Sequence, residues 1–146
     1  MRKKTILLIE DNPDDEALML RTLKKNNFHN EITVMRDGQQ AVDYFFGENV
    51  SACPVPGLVL LDLKLPKING LEVLRRIRAD ERTCFQPVVI LTSSTEDHDV
   101  VTGYRFGTNS YIRKPVDFDL FVDSVRQIGL YWLEMNEPIP IQRRPA

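Results

Sequence analysis

An apolar run that stops abruptly at a carboxylate constrains this chain more than any other feature: Leu58-Val59-Leu60-Leu61 leads into Asp62, and Leu63-Lys64-Leu65-Pro66 follows. Four to eight apolar residues bounded by turn signals read as a strand buried on both faces of a parallel sheet. The pattern recurs. Ile6-Leu7-Leu8-Ile9 precedes Glu10-Asp11, Val88-Val89-Ile90-Leu91 precedes Thr92-Ser93-Ser94, and a shorter run at Tyr111-Ile112 precedes Arg113-Lys114-Pro115. Open α/β sheets bind ligands beyond the carboxyl ends of their strands. Aligned side by side, these four ends gather three acids, a hydroxyl and an ammonium on one rim.

Helical patterns alternate with the strands. Asn12-Pro13-Asp14-Asp15 supplies a capping side chain, an early proline and first-turn acids, and Leu18, Met19, Leu20 and Leu23 then recur on a helical period up to Asn26-Asn27. Glu31 to Arg36 reads as a strand on the edge side. Asp37-Gly38 opens a helix carrying Ala41, Val42, Phe45 and Phe46, closed by Gly47; Glu48 to Gly57 is irregular, with Pro54 and Pro56. Asn69-Gly70 opens a helix with Leu71, Val73, Leu74 and Ile77, another is expected over Glu96 to Phe106, and a long amphipathic helix from Asp117 to about Leu133. Five β/α units without repeats or linkers predict one α/β domain, residues 1–133, with a doubly wound five-stranded parallel sheet in flavodoxin-like order 2-1-3-4-5 and helices on both faces. The tail, 134–146, carries Pro138, Pro140 and Pro145 and is expected to be extended or mobile.

Composition closes off several function classes. The net charge of −2 gives no electrostatic case for nucleic acid or an anionic membrane. No apolar stretch approaches the roughly 20 residues that span a bilayer. Behind the basic lead-in Met1-Arg2-Lys3-Lys4, the apolar run is too short for a signal-peptide core. Cys53 and Cys84 lie far apart, outside metal-ligand spacing, and read as thiols of a reducing cytoplasm. His29 and His98 sit in polar surroundings and suit neither a metal nor a phosphorelay.

The rim has a chemistry of its own. Glu10 and Asp11 facing Asp62 repel one another, which would raise at least one pKa. A hard divalent cation removes the conflict, and carboxylates that leave room for water suit Mg²⁺; an acid pair after a strand also serves as a helix-capping turn. A carboxylate can itself be a nucleophile and form an aspartyl phosphate. Its reaction needs the phosphoryl charge neutralised and held, work suited to Lys114 as a point charge and to the Thr92 hydroxyl.

At these residues the chain resembles the response-regulator receiver domains of two-component signalling, along its length to about Leu133. The motifs are Ile9-Glu10-Asp11-Asn12, Leu61-Asp62-Leu63-Lys64-Leu65-Pro66 with Asn69-Gly70, Leu91-Thr92-Ser93-Ser94, and Tyr111-Ile112-Arg113-Lys114-Pro115. The resemblance implies a signalling protein rather than a metabolic enzyme, with Asp62 accepting phosphate from a histidine kinase and the chain assisting its own phosphorylation and dephosphorylation. It implies Mg²⁺ held by Asp11, Asp62 and the Lys64 carbonyl, with Glu10 acting largely through water, and Thr92 and Lys114 gripping the phosphoryl group beside Ser93. It also implies a cis Lys114–Pro115 bond, and a switch in which Thr92 moves toward the phosphate, Tyr111 fills the space, and the face of the fourth helix, fifth strand and fifth helix changes shape. Tyr111 also reads as a half-buried tyrosine packed on Val100, Val101 or Tyr104. Ser93, where many receivers carry Ala or Gly, and Lys64 and Ser94 leave the phosphate lifetime open.

Leu60 to Lys67, the long loop before that strand, and Tyr131-Trp132-Leu133 with Asn136-Glu137-Pro138 resemble the stand-alone regulators partnered with bacterial phytochrome kinases. This implies a homodimer through the face bearing Tyr111, with Tyr104, Tyr111, Tyr131 and Trp132 as candidates; Tyr131, Trp132 and Leu133 read equally as extra core. With no room for a helix-turn-helix, output must run through protein contacts, or the chain is a phosphate shuttle or sink. An Mg²⁺-dependent aspartyl-phosphate phosphatase is disfavoured because nothing after Asp62 suits a general acid and no cap domain encloses a substrate. A flavin binder would need a phosphate-cradling loop where Glu10 to Asp15 is strongly anionic.

Overall fold

The structure, a computed structural model, describes residues 4–140; the lead-in Met1-Arg2-Lys3 and the tail residues 141–146, with Pro145, lie outside the described residues. Five strands, β1 (Ile6–Ile9), β2 (Ile32–Met35), β3 (Leu58–Leu61), β4 (Val88–Thr92) and β5 (Ser110–Arg113), form one sheet in the order β2-β1-β3-β4-β5. Every pairing is parallel, as the continuous apolar runs require. Helices α1 (Pro13–Lys25), α2 (Gly38–Phe46), α3 (Gly70–Ala79), α4 (Asp97–Arg105) and α5 (Phe118–Gly129) connect them.

Strand alternation sorts the core into two layers. Leu7, Ile9, Val59, Leu61, Val88 and Ile90 pack with Ala41, Phe45, Val73, Leu74 and Ile77 of α2 and α3. Ile6, Leu8, Leu58, Leu60, Val89 and Leu91 pack with Met19 and Leu23 of α1 and Phe121, Val125 and Ile128 of α5. Helix starts follow the capping residues read from the sequence: Asn12, Asp37, Asn69 and Asp117 each accept a backbone N–H of the first turn.

Two features depart from expectation. The bond before Pro115 is trans, since no peptide among the described residues is cis; an X–Pro bond holds either isomer within about 0.5–1 kcal/mol, so the motif alone does not fix it. The last helix leaves α geometry at Gly129 and continues as a π-helical segment, Leu130–Met135, a widening that periodicity does not announce. Lys4 then donates to the carbonyls of Trp132 and Asn136, both at 3.0 Å, tying that segment to the amino end of β1. At the same pole, Arg78 donates to the carbonyls of Cys84, Gln86 and Gly107 and to Asn109 Oδ1 at 2.7–3.2 Å. The opposite, carboxyl pole is left for chemistry.

Candidate functional site

The strand order reverses between β1 and β3, and there the candidate residues meet. Ile9 is in register with Leu61, and Asp62 N–H donates to the Ile9 carbonyl at 3.0 Å, so Glu10 and Asp62 emerge side by side. Glu10 and Asp62 are buried, Asp11 is exposed, and one carboxylate oxygen from each lies within 4.8 Å of the others. The backbone is drawn tightly around them: a Cβ at Gly70 would collide with the Asp62 carbonyl oxygen, which explains glycine at the start of α3.

Each oxygen of Asp62 has its own partners. Thr92 Oγ1 donates to Oδ1 at 3.0 Å, with Lys64 N–H at 3.3 Å; Lys114 Nζ donates to Oδ2 at 3.1 Å. Lys114 also meets Glu10 Oε1 at 2.7 Å and Asp15 Oδ2 at 3.0 Å. Burial pushes the Glu10 carboxyl up, from 4.5 to about 7, against the pull of Lys114. Burial also opposes charge on Asp62, but Lys114 and the hydrogen bond with Glu10 outweigh it and hold that carboxyl below its ordinary value. The two neighbouring carboxyls are thus driven apart in acidity, Glu10 the weaker acid and Asp62 the stronger. Burial works against the Lys114 ammonium as well, yet Glu10, Asp62 and Asp15 raise its pKa, so it stays charged.

Three hard oxygen donors with an exposed member open to water form a set that suits a hard divalent cation. Such an ion would neutralise the negative charge that Glu10, Asp11 and Asp62 bring together.

The remaining expected residues fall around this centre. Ser93 is exposed at the mouth, whereas Ser94 is buried, its N–H donating to Thr92 Oγ1 at 3.3 Å and its hydroxyl to Asp99 of α4 at 2.6 Å. Tyr111 is half-buried and packs over Gly103 of α4 beside Ile90: a Cβ at Gly103 would lie 3.2 Å from its ring. Its hydroxyl is buried without a hydrogen-bond partner among the described residues, and burial, then Asp99, raises the phenol pKa. Tyr131 is exposed and meets Trp132 edge-to-face at 4.9 Å, far along the chain from the rim.

Sequence reasoning passed over Asp15 as a first-turn acid. A signal was present: Asp15, Met19, Thr22 and Leu23 share one helical stripe, and the last three are buried.

Comparisons with known proteins agree with this geometry. The family model "Response regulator receiver domain" matches residues 6–126. "Probable methanogenesis regulatory protein FilR2" of Methanothrix harundinacea (strain 6Ac) is 41% identical over 131 residues, 90% of this chain and 84% of FilR2. Response regulator Rcp1 of Synechocystis sp. (strain ATCC 27184 / PCC 6803 / Kazusa) is 37% identical over 133 residues, 90% of each chain. The solved Mn(2+)-bound form of Rcp1 superposes with a TM-score of 0.86 at 34% identity, covering 94% of this chain and 99% of that one. The phosphorylated cyanobacterial phytochrome response regulator RcpA gives the same TM-score, 0.86, identity, 34%, and coverage, 94% and 99%.

Proposed function

This chain belongs to the response regulator receiver family, and from that membership we propose that Asp62 is the phosphoacceptor of a switch driven by a histidine kinase. The observation that carries the reading is the division of labour at Asp62: Thr92 and Lys114 each donate to a different carboxylate oxygen, at 3.0 and 3.1 Å. An oxygen lone pair of Asp62 attacks the phosphorus of a phosphohistidine; the P–N bond breaks, and its electron pair leaves with the imidazole, which takes up a proton. Lys114 and the Thr92 hydroxyl then shift to phosphoryl oxygens, donors already in place where charge develops.

Glu10, Asp11, Asp62 and the Lys64 carbonyl would hold Mg²⁺, which supplies charge neutralisation to the transferring group when bound. Ser93, exposed at the mouth, borders the phosphoryl position. Hydrolysis of the aspartyl phosphate at the same centre makes the chain an aid to its own reset, with no outside metabolite turned over.

A phytochrome kinase is the proposed partner, supported by the likeness to RcpA. The proposed output is the face of α4, β5 and α5. Val101 and Tyr104 are exposed on α4, and Val116, Phe118 and Leu120 are exposed at the start of α5; Thr92 and Tyr111 connect that face to Asp62. A homodimer using Tyr104, Tyr111, Tyr131 and Trp132, in the cytoplasm, completes the reading. The test is intact mass after incubation with acetyl phosphate and Mg²⁺, with sedimentation of the same samples. One phosphoryl group is expected on the wild type and none on Asp62→Asn; label persisting in the variant would move the acceptor elsewhere.

A further inference from the structure

Lys114 Nζ meets three carboxylates from three elements: Glu10 after β1, Asp15 in the first turn of α1, and Asp62 after β3. An ammonium has three protons, so each is taken, and only Asp62 is a phosphoacceptor candidate. We infer that Asp15 is a positioning residue for phosphoryl transfer, holding the Lys114 ammonium from α1 so that one proton stays directed at Asp62. The inference rests on Asp62 being the phosphoacceptor.

Three observations support it. First, Asp15 is fixed before it meets the lysine. Asn12 Oδ1 accepts the N–H groups of Asp14 and Asp15 at 2.8 and 3.2 Å, and the stripe continuing from Asp15 packs Met19, Thr22 and Leu23 into the core. Second, the ammonium has little freedom to retreat inward. The cavity bordered by Glu10, Asp15, Asp62, Lys114, Met19 and Phe121 holds about 20 Å³, room for roughly one water. Third, Asp15 stands on the solvent side. Its side chain is 39% exposed, against 5% for Glu10 and 8% for Asp62, so the way out for the ammonium passes Asp15. A lysine stem is flexible and its head strongly hydrated; without Asp15 the ammonium turns toward water and its aim at Asp62 is lost. After transfer, a phosphoryl oxygen replaces Asp62 Oδ2 as the third acceptor, while Glu10 and Asp15 keep the other two protons.

The test compares phosphorylation of the full chain by acetyl phosphate at saturating Mg²⁺ in the wild type, Asp15→Asn, Asp15→Ala and Asp15→Glu. Calorimetric Mg²⁺ affinity and the ¹⁵N signal of the Lys114 ammonium are measured alongside. Asp15→Asn and Asp15→Ala are expected to slow phosphorylation about three- to tenfold, about 0.7–1.4 kcal/mol of barrier. Mg²⁺ affinity should stay within about twofold, the Lys114 signal should broaden by faster exchange with water, and Asp15→Glu should restore most of the rate. Unchanged or faster phosphorylation in Asp15→Asn overturns the inference, as does a fall in Mg²⁺ affinity matching the fall in rate. If the wild type takes no phosphate, the phosphoacceptor reading fails instead; a labelled wild type with an equally fast Asp15→Asn removes Asp15 alone.

Discussion

The Thr92 hydroxyl lies 3.0 Å from Asp62 Oδ1, so the proposed phosphoryl-binding hydroxyl already faces the proposed acceptor. Around it the chain is drawn inward: Ser94 bridges Thr92 to Asp99 of α4, and Tyr111 lies over Gly103 with its hydroxyl buried. The contact set at β4 thus runs from the acidic centre to the fourth helix without a break.

Lys114→Ala leaves Glu10 and Asp62 buried beside one another with no cation. Removing one partner from a buried ion pair costs about 3–5 kcal/mol, so urea unfolding in EDTA should show a loss of this order, largely reversed by saturating Mg²⁺. Phosphorylation of this variant should be slow and should leave phosphate-dependent partner binding absent.

If, as proposed, Mg²⁺ binds the folded chain alone, it stabilises that chain by mass action, about 2.7 kcal/mol at 100 times Kd. Thermal unfolding should show a higher Tm with Mg²⁺ than with EDTA. Asp11→Asn should shrink that shift by more than half, because Asp11 is the exposed member of the trio.

Tyr111→Phe should stabilise the metal-free protein by about 1 kcal/mol, since it deletes a buried hydroxyl that makes no hydrogen bond among the described residues. A loss of stability in equilibrium denaturation would show that the hydroxyl has a partner in solution.

The Arg78 guanidinium is held below its ordinary pKa by burial and spends its protons on three carbonyls and Asn109. Arg78→Met keeps the stem but strands those acceptors. The expected cost is about 3 kcal/mol, read from urea unfolding, with phosphorylation kinetics unchanged.

Hydrogen bonds from Arg75 and then Arg76 hold Glu72 at about 2, below the ordinary 4.5. The folded state therefore favours the ionised form, and this contribution is complete above pH 4.5 and fades as pH falls toward 2. The three side chains are 30–52% exposed and screened, so the worth is about 0.5–1 kcal/mol. Denaturation of wild type and Glu72→Gln should differ by that amount at pH 6 and converge near pH 2.

Helix caps and the acids and lysine of the rim were legible in the sequence because each rests on local signals, apolar runs that end at charge and Asn or Asp before a helix, and strand order followed from the β/α alternation and the right-handed crossover rule. Asp15 was not singled out, because its role depends on where α1 lands against β5, a relation across 99 positions in the chain. Arg78 was equally silent, since nothing in a helical arginine announces that its acceptors are carbonyls of distant loops. The trans bond at Pro115 and the π turn after Gly129 are decided by tertiary packing at energies too small for local sequence to fix.

The separation of the two poles has a practical consequence. Lys4 and Arg78 fasten the amino ends of the strands, while the reacting groups stand at the carboxyl ends, about 13 Å away across strands of four or five residues. Evolutionary drift or a directed-evolution library can therefore trade stability at one end against signalling kinetics at the other with little interference, because substitutions so far apart act additively. The molecule is in effect two separately adjustable dials on a common spindle.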